Sequence, residues 1–228
     1  MKYKIVIFFL CLLASGCANV NQMAIKKETK TIDTGVKSIL LMTINLSRPE
    51  NSRYSPHPLV VRFEKTNLKG ELEKVVFQTD SEAGKTESDL SNKYFMRMAL
   101  EPGEYKLHTI FGNANAFPFN GFFDVPLLMK ITVPSNSIIY LGSVNALLRP
   151  RKENEFRAGS VVPLIDQAVT GVSSGTFDVV ITDVSVEDIS QFQSRFPALS
   201  GQDIKTAILP AWERDRAQAW WQNNGIDK

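Results

Sequence analysis

The side chains able to do chemistry are few, and their spacing limits what they can do. The chain holds two cysteines, Cys11 and Cys17, and two histidines, His57 and His108. With no cysteine beyond position 17, the remaining chain can form neither an internal disulfide nor a Cys-based zinc site. The histidines show no HxxxH or HxH spacing, so they make a poor metal pair. His57 sits in Ser55-Pro56-His57-Pro58, which reads as a loop, and His108 falls on the polar side of a strand pattern. Gly171-Val172-Ser173-Ser174-Gly175 spells G-x-S-x-G. The nucleophile elbow of that spelling needs a strand before the serine and a helix after it. Here a strand pattern follows from Thr176, and both histidines precede the serine. A hydrolase is therefore the weakest functional reading. Asp178, Asp183 and Asp188 are five apart and do not build an EF-hand loop. There is no P-loop and no G-x-G-x-x-G, and nothing points to a carboxylate pair of the glycosidase kind. The expectation is a non-enzyme with no metal and no diffusible cofactor.

A different kind of site lies in Phe111–Phe123, which has five phenylalanines in thirteen residues among Gly, Asn and Pro. Read as a loop, it either tucks into the core or offers an apolar contact surface. Phe117, Phe119, Phe122 and Phe123 are the candidate contacts for a partner or an apolar ligand. Arg149–Arg157 mixes both charge signs and reads as a solvated hairpin tip. The C-terminal Trp212, Trp220 and Trp221 are expected to pack on the domain rather than enter a membrane. Acidic Glu213 and Asp215 beside Arg214 and Arg216 argue against a basic membrane face.

The elements that must position these residues alternate with period 2 from about 37 to 185. Lys37–Leu46 puts Leu40, Met42, Ile44 and Leu46 on one face. Leu59–Lys65 does the same with Leu59, Val61 and Phe63, and Leu72–Gln78 is a further strand. Asn92–Leu100 points Tyr94, Met96, Met98 and Leu100 inward, against Phe95, Arg97 and Ala99. Glu104–Phe111 points Tyr105, Leu107, Thr109 and Phe111 inward. Leu127–Val133, Ser137–Leu148 and Thr176–Val184 follow, the second apolar on both faces as a central strand would be. Pro102-Gly103 marks a sharp turn, either a bulged hairpin or a corner between sheets. Seven or eight strands without intervening helices imply an antiparallel β-sandwich over 37–185. After 185 the period turns helical. Ser185 reads as an N-cap with Asp188 at the third position, and Ile189, Phe192 and Phe196 follow before Pro197. Gln202–Leu209 and Ala211–Asn223 are expected as two more short helices, so 186–228 forms a helical appendage.

The N-terminus supplies the address. Residues 1–16 combine Lys2 and Lys4, the apolar run Ile5–Leu13 and small residues, the layout of an export signal too short to span a bilayer. Removing it takes the formal +2 charge with it and leaves 24 basic against 24 acidic side chains. A neutral chain has no net-charge reason to bind nucleic acid. At 43% hydrophobic and 22% charged residues the composition is that of a globular domain. Leu13-Ala14-Ser15-Gly16-Cys17 resembles the lipobox of bacterial lipoproteins, with Ala14 where Leu is usual. The resemblance implies cleavage before Cys17, a diacylglyceryl group on its thiol and an acylated amine. It implies an outer-membrane location, facing the periplasm or the surface, because Ala18 rather than Asp follows the cysteine. Residues 17–36 then read as a lipidated cysteine and a flexible polar tether reaching about 25 Å.

Three segments resemble the transthyretin-like and carboxypeptidase-regulatory-like sandwiches of uncharacterised bacterial lipoproteins. They are Leu59–Phe63, the turn and strand Leu100–Leu107, and Ile131–Gly142 with its Val-Pro and apolar Tyr strand. That resemblance implies a sandwich and brings no catalytic residues. The leading expectation is an envelope lipoprotein that binds a protein or peptidoglycan partner without catalysis. The alternatives are a carrier of lipid or a small apolar ligand and a cryptic hydrolase.

Overall fold

Alternating apolar residues become strands that bury one face in a core shared by two sheets. The computed structural model describes residues 20–50, 52, 54–67, 70–88, 90–116, 119–160 and 172–224. The export signal and Cys17 lie outside the described residues. The first sheet contains β1 (Val20–Asn21), β3 (Ser55–Thr66), β4 (Leu72–Gln78), β7 (Gly103–Ala116) and β8 (Phe119–Val133), in the order β1-β4-β3-β7-β8. The second contains β2 (Ser38–Ser47), β5 (Gly84–Ser88), β6 (Ser91–Leu100), β9 (Ile138–Pro150) and β10 (Gly175–Thr182), in the order β10-β9-β2-β6-β5. The three-residue β11 (Ile204–Thr206) adds to β9. Helices α1 (Ser185–Arg195) and α2 (Arg214–Asn224) and a 3-10 turn at Pro197–Leu199 complete the described elements.

The fold is mainly β, as expected, but the pairing is mixed rather than antiparallel throughout. β1 runs parallel to β4, and β2 and β11 run parallel to β9. The described strands also outnumber the seven or eight expected. Part of the excess comes from Gln202–Leu209, which is extended rather than helical. β10 covers β9 only from Ser143 onward, so the backbone of Ile138–Tyr140 needs another partner. Ile204–Thr206 supplies it, and the N–H groups of Ala207 and Leu209 donate to the carbonyls of Tyr140 and Leu141 at 2.9 Å. Satisfying a buried backbone outweighs a weak helical preference.

Between the sheets lie the predicted inward faces: Leu40, Met42, Ile44 and Leu46 from β2, Met96 and Met98 from β6, and Leu127, Met129, Ile131 and Val133 from β8. Val61 and Phe63 of β3 and Phe177 of β10 close the same core. β7 departs from its expected alternation. Against β3 the pairing steps from Phe63–Leu107 to Arg62–Thr109, which leaves one extra residue in β7, so Ile110 enters the core and Phe111 turns outward. Such a bulge adds a residue and reverses the facing beyond it. The Pro102-Gly103 turn is a corner, since it leads from β6 in the second sheet to β7 in the first, with Gly103 at φ +148°.

Part of the outer face of the second sheet is covered. Ile39, Leu41, Phe95 and Tyr140 pack under Phe192, Phe196 and Leu199. The expected N-cap shifts by one: Val184 takes the N-cap position without a side-chain cap bond, and the Ser185 N–H donates to the Asp183 carboxylate at 3.0 Å. Asp188 is buried, accepting from Thr43 at 2.5 Å and Tyr140 at 2.6 Å, with Lys93 Nζ at 2.6 Å. Arg97, expected with Phe95 and Ala99 on the face turned away from the core, is buried as well. Its Nε donates to the Ile25 carbonyl at 2.6 Å, its Nη1 to the Phe95 carbonyl at 2.5 Å, and its Nη2 pairs with Asp80.

Residues 20–36 are not a free tether. Met23 and Ile25 are buried, the Ala24 N–H donates to the Arg97 carbonyl at 2.8 Å, and Ile32 packs against the outer cluster. Nor is Arg149–Arg157 a solvated tip. Both Nη atoms of Arg149 donate to Glu155 at 2.7 Å, its Nε donates to Asp178 at 2.5 Å, and Arg214 joins Asp178 from the other side. Phe156 is buried beneath this cluster, against Trp212. The Trp212 Nε1–H donates to the Pro126 carbonyl at 2.8 Å, and Ala217 seats α2 on the core. The tryptophans thus pack on the domain as expected, although Trp212 precedes the helix.

Two outcomes follow from the buried charges. Arg97→Ala empties a fully buried site and takes the guanidinium from the half-buried Asp80 and from the Ile25 and Phe95 carbonyls, so urea unfolding should show a loss of about 3 kcal/mol or more. The hydrogen bonds from Arg149 hold the Glu155 carboxyl down to about 2, against an ordinary 4.5. A depressed acid stabilises the fold above its unfolded pKa and loses that contribution as pH falls through the folded value. Thermal midpoints should therefore drop between about pH 5 and pH 2, and Glu155→Gln should flatten that drop.

Candidate functional site

The phenylalanine-rich segment is not a loop. It is the distal part of a hairpin whose last backbone pair joins Ala116 to Phe119. Phe117 and Pro118, which form the connection, lie outside the described residues, and of Phe119 only the backbone pairing is described. Strand alternation then sends adjacent aromatics to opposite faces. Phe123 points inward, is buried, and packs on Phe177 with ring centroids 5.1 Å apart. It is core and not a contact residue. Gly112 makes room for it, because a Cβ there would lie 2.4 Å from the Phe123 ring and 2.3 Å from the His57 carbonyl.

Phe122 points outward and is 54% exposed. Its ring stacks on Phe111, with centroids 5.6 Å apart and planes 8° from parallel. Phe111 faces Asp124 directly across β8, and Phe122 is Asp124's same-face neighbour two residues away. The stack is thus a diagonal cross-strand pair. It also depends on the bulge at Leu107–Thr109, without which Phe111 would face the core. The Arg62 guanidinium of β3 lies 4.4 Å from the Phe111 ring centre, and its Nη1 donates to the Asp124 carboxylate at 3.0 Å. Burial pushes the Asp124 carboxyl up, opposed by the nearby Arg62 charge. Together these residues form an open step: one exposed ring, a second ring behind it, and an Arg–Asp pair at its rim. Each aromatic or cation–π contact contributes about 1 kcal/mol. The arrangement can stack a flat apolar face and offer hydrogen bonds beside it.

The other sequence candidates are dispersed. His57 belongs to β3 and not to a loop. Its flanking prolines are tolerated because β4 pairs with β3 only from Val60 onward. Its Nδ1 lies 2.6 Å from the Tyr94 hydroxyl, and burial lowers its pKa. His108 meets the edge of Trp220 at 5.5 Å and Glu64 at 3.4 Å. Among the described residues no group of three His, Cys, Asp or Glu could hold a metal. Ser173 is buried in the turn that enters β10, so a strand follows it where an elbow needs a helix; Gly171 lies outside the described residues. Asp178 and Asp188 serve ion clusters, and Asp183 accepts the Ser185 N–H. Sequence reasoning missed Phe111, Arg62 and Asp124 as parts of the step. Their alternate positions on three neighbouring strands were the available signal.

The chain matches no protein-family model, no curated protein and no solved structure at a significant level. The reading of the site therefore rests on its own geometry.

The opposite facing of Phe122 and Phe123 gives a direct check. Phe123→Ser should lose about 3 kcal/mol or more in urea unfolding, as expected for emptying a core aromatic site. Phe122→Ser should stay within about 1 kcal/mol of the parent. Equal losses would mean that Phe122 is a packing residue.

Proposed function

We propose that this protein is a lipoprotein of the bacterial outer membrane, anchored through Cys17, whose β-sandwich of transthyretin-like type works as a non-enzymatic binding module. The observation that carries the binding role is the Phe122–Phe111 stack left open beside Arg62 and Asp124. An exposed aromatic with a second ring and an ion pair at its rim suits the apolar face of a sugar ring or a proline or aromatic side chain. Peptidoglycan and an envelope protein each present such faces. The anchoring role is supported by the signal layout and the Leu13–Cys17 motif. Three acyl chains on one cysteine would hold the protein at a membrane stably, since each buried CH₂ contributes about 0.8 kcal/mol.

The carrier reading draws less support. The inner side of the hairpin is filled by Phe123 against Phe177. Cavities of about 330 and 340 Å³ lie elsewhere, one beside Ile25 and Ile32 and the other beside Asn45 and Asn145.

Cys17→Ser should move the protein from the membrane to the soluble fraction of the envelope. Persistent membrane attachment would contradict the anchor. In the lipidated protein, Phe122→Ser should abolish co-sedimentation with purified peptidoglycan or crosslinking to an envelope protein. Retention of both would contradict the binding role of the step.

A further inference from the structure

Only Ala18 and Asn19 separate Cys17 from the first strand. Val20 opens β1, and three Cα–Cα steps from Cys17 span at most about 11 Å. β1 is the edge strand of the first sheet and pairs in parallel with β4, Val20 opposite Val76 and Asn21 opposite Phe77. The chain just beyond it is fastened down. Met23 and Ile25 are buried, the Ala24 N–H donates to Arg97, and Arg97 donates back to Ile25. Releasing this segment to serve as a tether would expose two apolar side chains and unpair a buried guanidinium.

We propose that the lipid on Cys17 holds the β1–β4 edge of the first sheet directly against the bilayer surface, so that this edge is a membrane-contacting face. This rests on the lipoprotein reading above. The edge has the composition that an interface of acyl chains and headgroups accepts. Val20 is 48% exposed and Leu72 is 59% exposed, so two large apolar side chains of this edge reach the surface. Lys74 of β4 is exposed beside them and, with Lys37 and Lys65, lines a cleft of about 200 Å³ that also holds Glu73 and Glu101. Lys65 is paired with Glu101 at 3.7 Å, whereas Lys37 and Lys74 can lay their stems along apolar surface and keep the ammonium among anionic headgroups. β8 lies four strand spacings from β1, or about 19 Å. The Phe122 step is thereby carried on the side of the sheet away from the anchor, which leaves it free for a partner.

The experiment uses the full lipidated chain in vesicles of phosphatidylethanolamine and phosphatidylglycerol containing a lipid-borne quencher. The thiol of Cys17 is consumed by the lipid and Cys11 leaves with the signal, so a single introduced cysteine takes the fluorophore specifically. Leu72→Cys reports the proposed face. Val180→Cys, 57% exposed on β10 at the edge of the second sheet, reports a distant one. The label at position 72 should be quenched several-fold more than the label at 180. Inserting roughly ten Gly and Ser residues between Ala18 and Asn19 should bring the two close to equality. Equal quenching without the insertion, or no effect of the insertion, would overturn the proposal. Intact mass measured on the same samples separates the two claims: a chain without acyl groups overturns the lipoprotein reading itself.

Discussion

A guanidinium without exposed surface holds this molecule together. Arg97 projects from β6 onto the outer face of the second sheet, where an arginine would ordinarily meet water. Instead it is bonded to Ile25 in the N-terminal segment, to Phe95 in its own strand and to Asp80 in the turn before β5. Its flat face lies 4.1 Å from the ring of Phe196, just past the end of α1. A buried charge is tolerable only if every partner is in place, and removing one partner is far more costly than the pair is stabilising. Four distant stretches of chain are therefore obliged to assemble together. The path of the N-terminal segment, and with it the short distance from Cys17 to the fold, follows from that obligation.

A second buried charge repeats the design nearby. Asp188 of α1 reaches down to Thr43, Tyr140 and Lys93 on three strands of the same sheet. Both devices lie on one face, and both bring cover over it. The first sheet is treated differently. α2 and the Trp212 segment protect the β8 backbone, with Trp212 bonded to Pro126 and Arg216 to Leu128. That protection suits an edge strand, whose unpaired backbone invites aggregation. Beside it the Phe111–Phe122 stack stays open. Part of one sheet is covered through buried ions, and the other carries the exposed aromatic step.

Much of this was legible in the residues. The faces of β2, β6 and β8 follow from simple alternation, the central place of β9 from its two apolar faces, and Pro102-Gly103 marks a sharp turn, with a corner as one of two readings. The failures share a physical cause, which is that period 2 describes only the face a strand shows its own core. It cannot register a bulge, so the outward turn of Phe111 after Leu107 was hidden. It reads Arg97 as a solvent residue, because the helix that covers it lies about a hundred positions downstream. Met23 and Ile25 are two isolated apolar residues in a polar run, too few to reveal a docked segment. The split between Phe122 and Phe123 was within reach, since neighbours on a strand must face opposite ways. Reading the segment as a loop concealed it.

The central claim is that the Phe122 step meets an envelope partner. It is tested most directly by placing a photoreactive amino acid at position 122 in intact cells, with position 180 as the comparison. The expected result is a discrete adduct, to peptidoglycan or to one envelope protein, from position 122 and not from position 180. No adduct at 122, or the same adducts from both positions, would contradict it.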